Sequence, residues 1–188
     1  MTSFPRLAIA VATIGLASVA TPALAGPTPS PLRVEAPTSL GGASGAFTYD
    51  ATQLPEGARL SVGVTYPASG KMIVTLHVKG ALPLRDYGAH AHSAPCGASS
   101  VDAGGHFQYI PFPLGGTSTD PTYANPSNEV WLDLETDADG NGSAQSVVSW
   151  QPGARRPMSV VIHASHTATA PGTAGTAGTR LGCISVPF

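Results

Sequence analysis

His90 and His92 stand two residues apart in GAHAHSAPCGA. On an extended strand both imidazoles therefore project to one face, while Ala89 and Ala91 project to the other. A His-x-His pair can grip one metal ion, although alternating polar residues on an exposed strand have the same pattern. His106 follows two glycines in AGGHFQ, where the backbone can make a tight approach, and His163 ends the apolar run SVVIH. Imidazole suits copper, zinc, iron and nickel, and a thiol-free set of three or four histidines with an open position suits redox copper well. Zinc held by three histidines is the chemical competitor, and spacing alone does not exclude it.

These side chains need a scaffold, and its strands are legible. In KMIVTLHVKG, Met72, Val74, Leu76 and Val78 alternate with Ile73, Thr75, His77 and Lys79, the period of a half-buried strand that turns His77 to solvent. Further strands are predicted at 44–50, 59–66, 87–92, 129–135, 143–149, 158–163 and 183–186. Turn-forming clusters such as LPEG, ADGNG and QPG separate them. No segment offers an amphipathic helix. The expectation is an all-β Greek-key sandwich or flattened barrel of about eight antiparallel strands. Two connections are long, 93–127 around His106 and 164–179 after His163, and long loops within compact domains are commonly functional.

Of 188 residues, 42% are apolar and 11% charged, with 22 Gly and 18 Pro, enough for one domain with a core and too many breakers for long helices. Nine Lys and Arg against eleven Asp and Glu leave no charge excess to draw the chain onto nucleic acid or an anionic membrane. Arg6, the apolar stretch LAIAVATIGLASVA and Ala23-Leu24-Ala25 before Gly26 fit an export signal over 1–25. The mature chain has no run of bilayer-spanning length. An exported, secreted or envelope location follows, and there Cys96 and Cys183 favour one disulfide over two thiols. Residues 26–43 are a Pro/Ser-rich lead-in whose fixed φ values resist regular structure. The folded domain spans 44–188.

GAHAHSAPCG, the Gly-Gly-His-Phe around His106, the Asp-x-Asp-Gly turn at Asp137, Asp139 and Gly140, SVVIHA around His163 and GTRLGC at 178–183 occur in one order. In that order the chain resembles the copper/zinc superoxide dismutase family over roughly Lys71 to Phe188. The resemblance implies a β-sandwich, a fold this family shares with immunoglobulin-like domains. It also implies that His90, His92, His106 and His163 are copper ligands, with Arg180 orienting the superoxide anion beside them through its fixed guanidinium donors. Cys96 and Cys183 match the family's intrasubunit bridge, which would pin the first long loop to the last strand. Arg180 and His106 are the residues the resemblance assigns to catalysis.

The departures are specific. Zinc-containing members use two further histidines and an aspartate after the one matched by His106. Here no histidine lies between His106 and Asp137, the aspartate's position falls at Val130, and the last histidine's at about Ser127. Asp120 and Asp133 are nearby but cannot replace a nitrogen-rich site. No family-type zinc site is expected, and copper alone is. The acidic residue that normally couples the two metals is also replaced in ASHTATAPG, with Thr167 near its place; His166 is either a supporting donor, an alternative ligand or an exposed loop histidine. The loop 164–179 has no Lys, Asp or Glu, so anion steering would rest on Arg180.

DADGNGSAQSVV has partial calcium-loop spacing, but Val148 stands where a bidentate Glu is needed, and a hairpin turn is the better reading. The expected function is an exported copper-dependent superoxide dismutase, disproportionating superoxide to dioxygen and hydrogen peroxide. The alternative is a non-enzymatic copper-binding or sequestering module of the same fold.

Overall fold

The computed structural model describes residue 1, residues 32–35 and residues 45–188, so the expected export signal and most of the lead-in lie outside the described residues. Among the described residues there are nine strands: β1 (Leu32–Glu35), β2 (Ala46–Thr48), β3 (Arg59–Thr65), β4 (Met72–Lys79), β5 (Asp86–His92), β6 (Leu134–Glu135), β7 (Gly142–Val148), β8 (Ser159–His163) and β9 (Arg180–Ser185). They form two antiparallel sheets, ordered β1-β3-β4-β7 and β2-β9-β8-β5-β6. The pairs β4·β7 and β5·β8 join strands distant in sequence, because the chain leaves the first sheet after β4 and returns to it only at β7. This is the Greek-key sandwich expected from the strand spacing.

The alternation of β4 decides which way the first sheet faces. Met72, Val74, Leu76 and Val78 are buried in the core and His77 is exposed, as the period-2 pattern requires. Burying each such aliphatic side chain is worth about 1.5–3 kcal/mol. β5 is buried on both faces: Ala89 and Ala91 enter the main core, while His90 and His92 face the other way into a polar interior.

Three boundaries differ from expectation. Within the lead-in, Leu32–Glu35 pairs antiparallel with β3. The flanking prolines, Pro31 and Pro37, lie outside this four-residue stretch, which keeps all its N–H donors for a ladder. The strand expected at 129–135 is broken: Trp131 makes an isolated bridge to His90, and only Leu134–Glu135 is regular, opposite Tyr87 and Asp86. The last strand begins at Arg180, three residues earlier than expected, and an irregularity between Ile162 and His163 sets His163 opposite Arg180. Bulges of this kind re-aim side chains beside functional sites.

The DADGNG turn closes β6 onto β7. Asp137 Oδ1 accepts the backbone N–H groups of Asp139 and Asn141, and the Ala81 N–H donates to the Gly140 carbonyl at 3.0 Å. Gly140 has φ +73°, and a Cβ there would strike the Ala81 carbonyl, so glycine is required on both counts.

Cys96 and Cys183 are bridged, with Cα atoms 5.8 Å apart, tying the first long loop to β9 across 87 residues of sequence. Ala103, Val161 and Tyr49 pack around the bridge. Replacing both cysteines by serine should lower unfolding stability by about 2–4 kcal/mol in urea titrations under oxidising conditions. An unchanged midpoint would show that the bridge contributes nothing to holding this loop.

Candidate metal centre

β5 supplies His90 and His92, the end of β8 supplies His163, and the first long loop returns along β5 to supply His106. That return is fixed by backbone bonds: Ser93 N–H to Gly105 O at 2.9 Å, Phe107 N–H to Ala91 O at 2.9 Å and Leu132 N–H to Ala89 O at 2.7 Å. Backbone bridges set His92 opposite His106 and His90 opposite Trp131. One nitrogen from each of His90, His92, His106 and His163 lies within 4.8 Å of the others. Two metal–nitrogen bonds of about 2.0–2.1 Å placed end to end span roughly 4.2 Å, so only small ring movements separate this cluster from a coordination shell.

The outward nitrogens decide which lone pairs point in. His92 Nδ1–H donates to the Gly104 carbonyl at 3.0 Å and His163 Nδ1–H to the Gly178 carbonyl at 3.4 Å. His106 Nδ1–H donates to Glu129 Oε2 at 2.9 Å. His90 reaches its carboxylate indirectly: the Thr167 hydroxyl donates to Asp133 Oδ1 at 2.6 Å, so its oxygen is left to accept from His90 Nε2–H at 2.7 Å. Each ring thus carries its proton on the outer nitrogen, and four lone pairs converge. His90 Nδ1 is buried without a hydrogen-bond partner, and His92 Nε2 faces His163 Nε2 at 3.4 Å with no proton to share. Buried acceptors in this state are costly unless a cation takes them up. The donor set therefore fits a metal ion, and four imidazoles without a thiolate suit a borderline transition metal.

The four histidines singled out in the sequence lie together, whereas most of their supports were not singled out. Glu129 is fully buried, and besides His106 it accepts from Gln108 Nε2 and Trp131 Nε1, both at 2.8 Å. Its carboxylate occupies the outer side of His106. A signal was available: Glu129 is a lone acid opening the apolar run EVWL. Asp133 also accepts the Ala89 and Thr167 backbone N–H groups, at 3.1 and 2.9 Å. Thr167, noted from sequence only as a departure, is the relay between Asp133 and His90. His166 is two-thirds exposed with Nδ1 3.2 Å from Asp133 Oδ2, which places it outside the cluster as a loop histidine beside that acid.

Arg180 is held half-buried by two carbonyls, Ser100 O at 2.7 Å and Gly104 O at 2.6 Å. Burial lowers its pKa, but a guanidinium starts high enough to stay charged. It lines a cavity of about 320 Å³ together with His106, His163, Thr117, Thr119 and the 174–178 segment. The two long loops meet here, with Gly172 N–H bonded to Thr119 O at 3.1 Å. Arg180 is the only permanent charge on this wall. The outcome is a neutral vestibule with one cation at its base, beside two of the clustered imidazoles.

No protein-family model matches the chain, and no curated protein matches it. Among solved structures, the chain is similar to that in a crystal structure of the clock protein EA4, at 18% identity and a TM-score of 0.49, over 84% of this chain and 94% of that one. The site's chemistry therefore has to be read from its own side chains. Among the described residues, no helix is long and apolar enough to cross a membrane.

Burial, reinforced by the neighbouring imidazoles, lowers the pKa values of His90 and His92 well below the ordinary histidine value and that of His163 to about 4. All three rings are thus uncharged at neutral pH, each keeping only its outward N–H. The sign for stability follows: the unfolded chain takes up these protons near pH 6.5, while the metal-free fold resists them. Stability is level above about pH 6.5 and falls as pH drops toward 4, by on the order of 3 kcal/mol for His163 alone. Thermal melts of the metal-free protein should show the midpoint falling across this window. A flat profile would contradict protection of the lone pairs.

Proposed function

We propose that this chain is a copper-dependent superoxide dismutase. The observation that carries the reading is a cluster of four converging imidazole nitrogens, two of whose rings, His106 and His163, line the same small cavity as the Arg180 guanidinium. A cation fit for redox chemistry and a fixed anion-binding group then share one vestibule. Held by His90, His92, His106 and His163, copper would supply the one-electron redox chemistry by which two superoxide ions and two protons become dioxygen and hydrogen peroxide.

The chain's own part is to bind, orient and protonate. Arg180 draws the anion through a vestibule with no other permanent charge and holds it beside His106 and His163. His106 is oriented by Glu129 through Nδ1, so Nε2 is the atom that can carry a proton to the bound anion. The carboxylate at 2.9 Å fixes the orientation of that ring. His92 and Arg180 are positioned by the same carbonyl, Gly104 O. The buried sides of the cluster exclude water, since His90 and His92 have no exposed surface.

The chain could instead sequester copper without turnover, a reading favoured by the absence of Lys and Arg from 164–179 to guide the anion. Metal analysis and a superoxide assay on the copper-loaded protein separate the two. The dismutase reading expects one copper per chain and turnover that falls about 10- to 1,000-fold in Arg180→Ala while copper stoichiometry is kept. Tight copper binding with no turnover in the wild type would leave the sequestering module.

Glu129→Gln keeps a hydrogen-bond acceptor but removes the buried charge behind His106. Copper affinity or turnover should fall about 10- to 100-fold, measured by competition with a chelator and by the same assay. Wild-type values in this variant would remove Glu129 from the working site.

A further inference from the structure

A second cavity, of about 710 Å³, shares no lining residue with the vestibule at Arg180. Its volume is in the range of small-molecule sites. None of its lining side chains is charged. One wall is aromatic: the Tyr109 ring lies 4.8 Å from that of Trp150 and within 5° of parallel, and Trp150 is in turn packed against Phe107. Trp150 is buried, whereas Tyr109 is nearly half exposed and forms the outer plate.

The plate is held in place before any ligand arrives. The Tyr109 N–H donates to Asn128 O at 2.9 Å, Arg155 Nη2 donates to the Tyr109 carbonyl at 3.3 Å, and Trp150 Nε1–H donates to Ser127 O at 2.8 Å. Asn128 fastens the opposite wall through Nδ2, bonded to the carbonyls of Ile110 and Tyr123. Gln151 Nε2 is bonded to the carbonyls of Pro67 and Lys71, which fixes its amide. The hydroxyls of Tyr109, Tyr123 and Ser149 and the Gln151 side-chain oxygen make no hydrogen bond among the described residues.

We propose that this cavity binds a neutral saccharide. A rigid aromatic plate offers an apolar face to the C–H face of a pyranose ring, and the surrounding hydroxyl and amide groups match its hydroxyl rim. An uncharged wall gives no counter-ion to phosphate, carboxylate or nucleic acid, so charged ligands of similar size gain nothing here. The preformed wall removes most of the ordering cost that a mobile site would have. The site stands apart from the metal centre, and its occupancy does not depend on the redox reading.

The test is calorimetry on the full chain with neutral oligosaccharides of glucose, mannose, galactose and N-acetylglucosamine, and with an oligogalacturonate as the acidic contrast. At least one neutral sugar should bind with a dissociation constant on the order of a millimolar or tighter. Tyr109→Ala should weaken it about tenfold, and Tyr109→Phe far less. Circular dichroism melts check folding, and if Tyr109→Ala does not fold, Gln151→Ala carries the test with an expected loss of several-fold. The proposal is overturned if no neutral sugar binds, if the acidic contrast binds equally well, or if binding survives both substitutions. It is also overturned if the face pairs with a second copy of the chain and the sugars do not compete.

Discussion

Proton placement on four imidazoles is the constraint around which this fold is organised. Each ring spends its single N–H on an outward acceptor, two on backbone carbonyls, one on a buried carboxylate and one on a threonine hydroxyl backed by a carboxylate. What remains inside is a set of lone pairs with no donor to satisfy them. A buried interior rarely tolerates that, so the arrangement makes physical sense as a receptacle for a cation. The two sheets, the bulge at the start of β9 and both long loops serve the outward acceptors as much as they serve the ligands.

Two carboxylates take the supporting roles, and Glu129 reaches His106 directly. Asp133 reaches His90 only through Thr167, whose own backbone N–H also binds that acid. Charge is thereby kept behind two of the rings. Such supports raise ligand basicity and fix ring orientation, which is the part of metal affinity the ligands themselves cannot supply.

Much of this was legible in the residues. Alternation in 72–79 and the His-x-His of β5 gave both the strands and the face each histidine takes, because side-chain direction in a strand depends only on parity. His106, His163 and Arg180 were assigned to one neighbourhood only by the family resemblance that the order of short motifs suggests. The supports were harder to read, since Glu129 meets His106 across 23 residues and Thr167 meets Asp133 across 34, through a loop whose path no local pattern specifies. The 129–135 segment looked like one strand because Val130, Trp131, Leu132 and Leu134 stand close together with no glycine or proline among them; the histidine cluster and β6 divide it between them. β1 was hidden by the prolines on either side of it.

The carbonyl of Gly104 accepts from both His92 and Arg180, so a single peptide plane serves as a common datum for the ligand and the anion holder. Their separation is consequently insensitive to how the surrounding loop breathes, since a drift of that plane carries both side chains the same way. Grafting a foreign loop between Cys96 and Gly105 would preserve the vestibule only if the graft returned that oxygen, and the Ser100 carbonyl that also holds Arg180, to their original bearings.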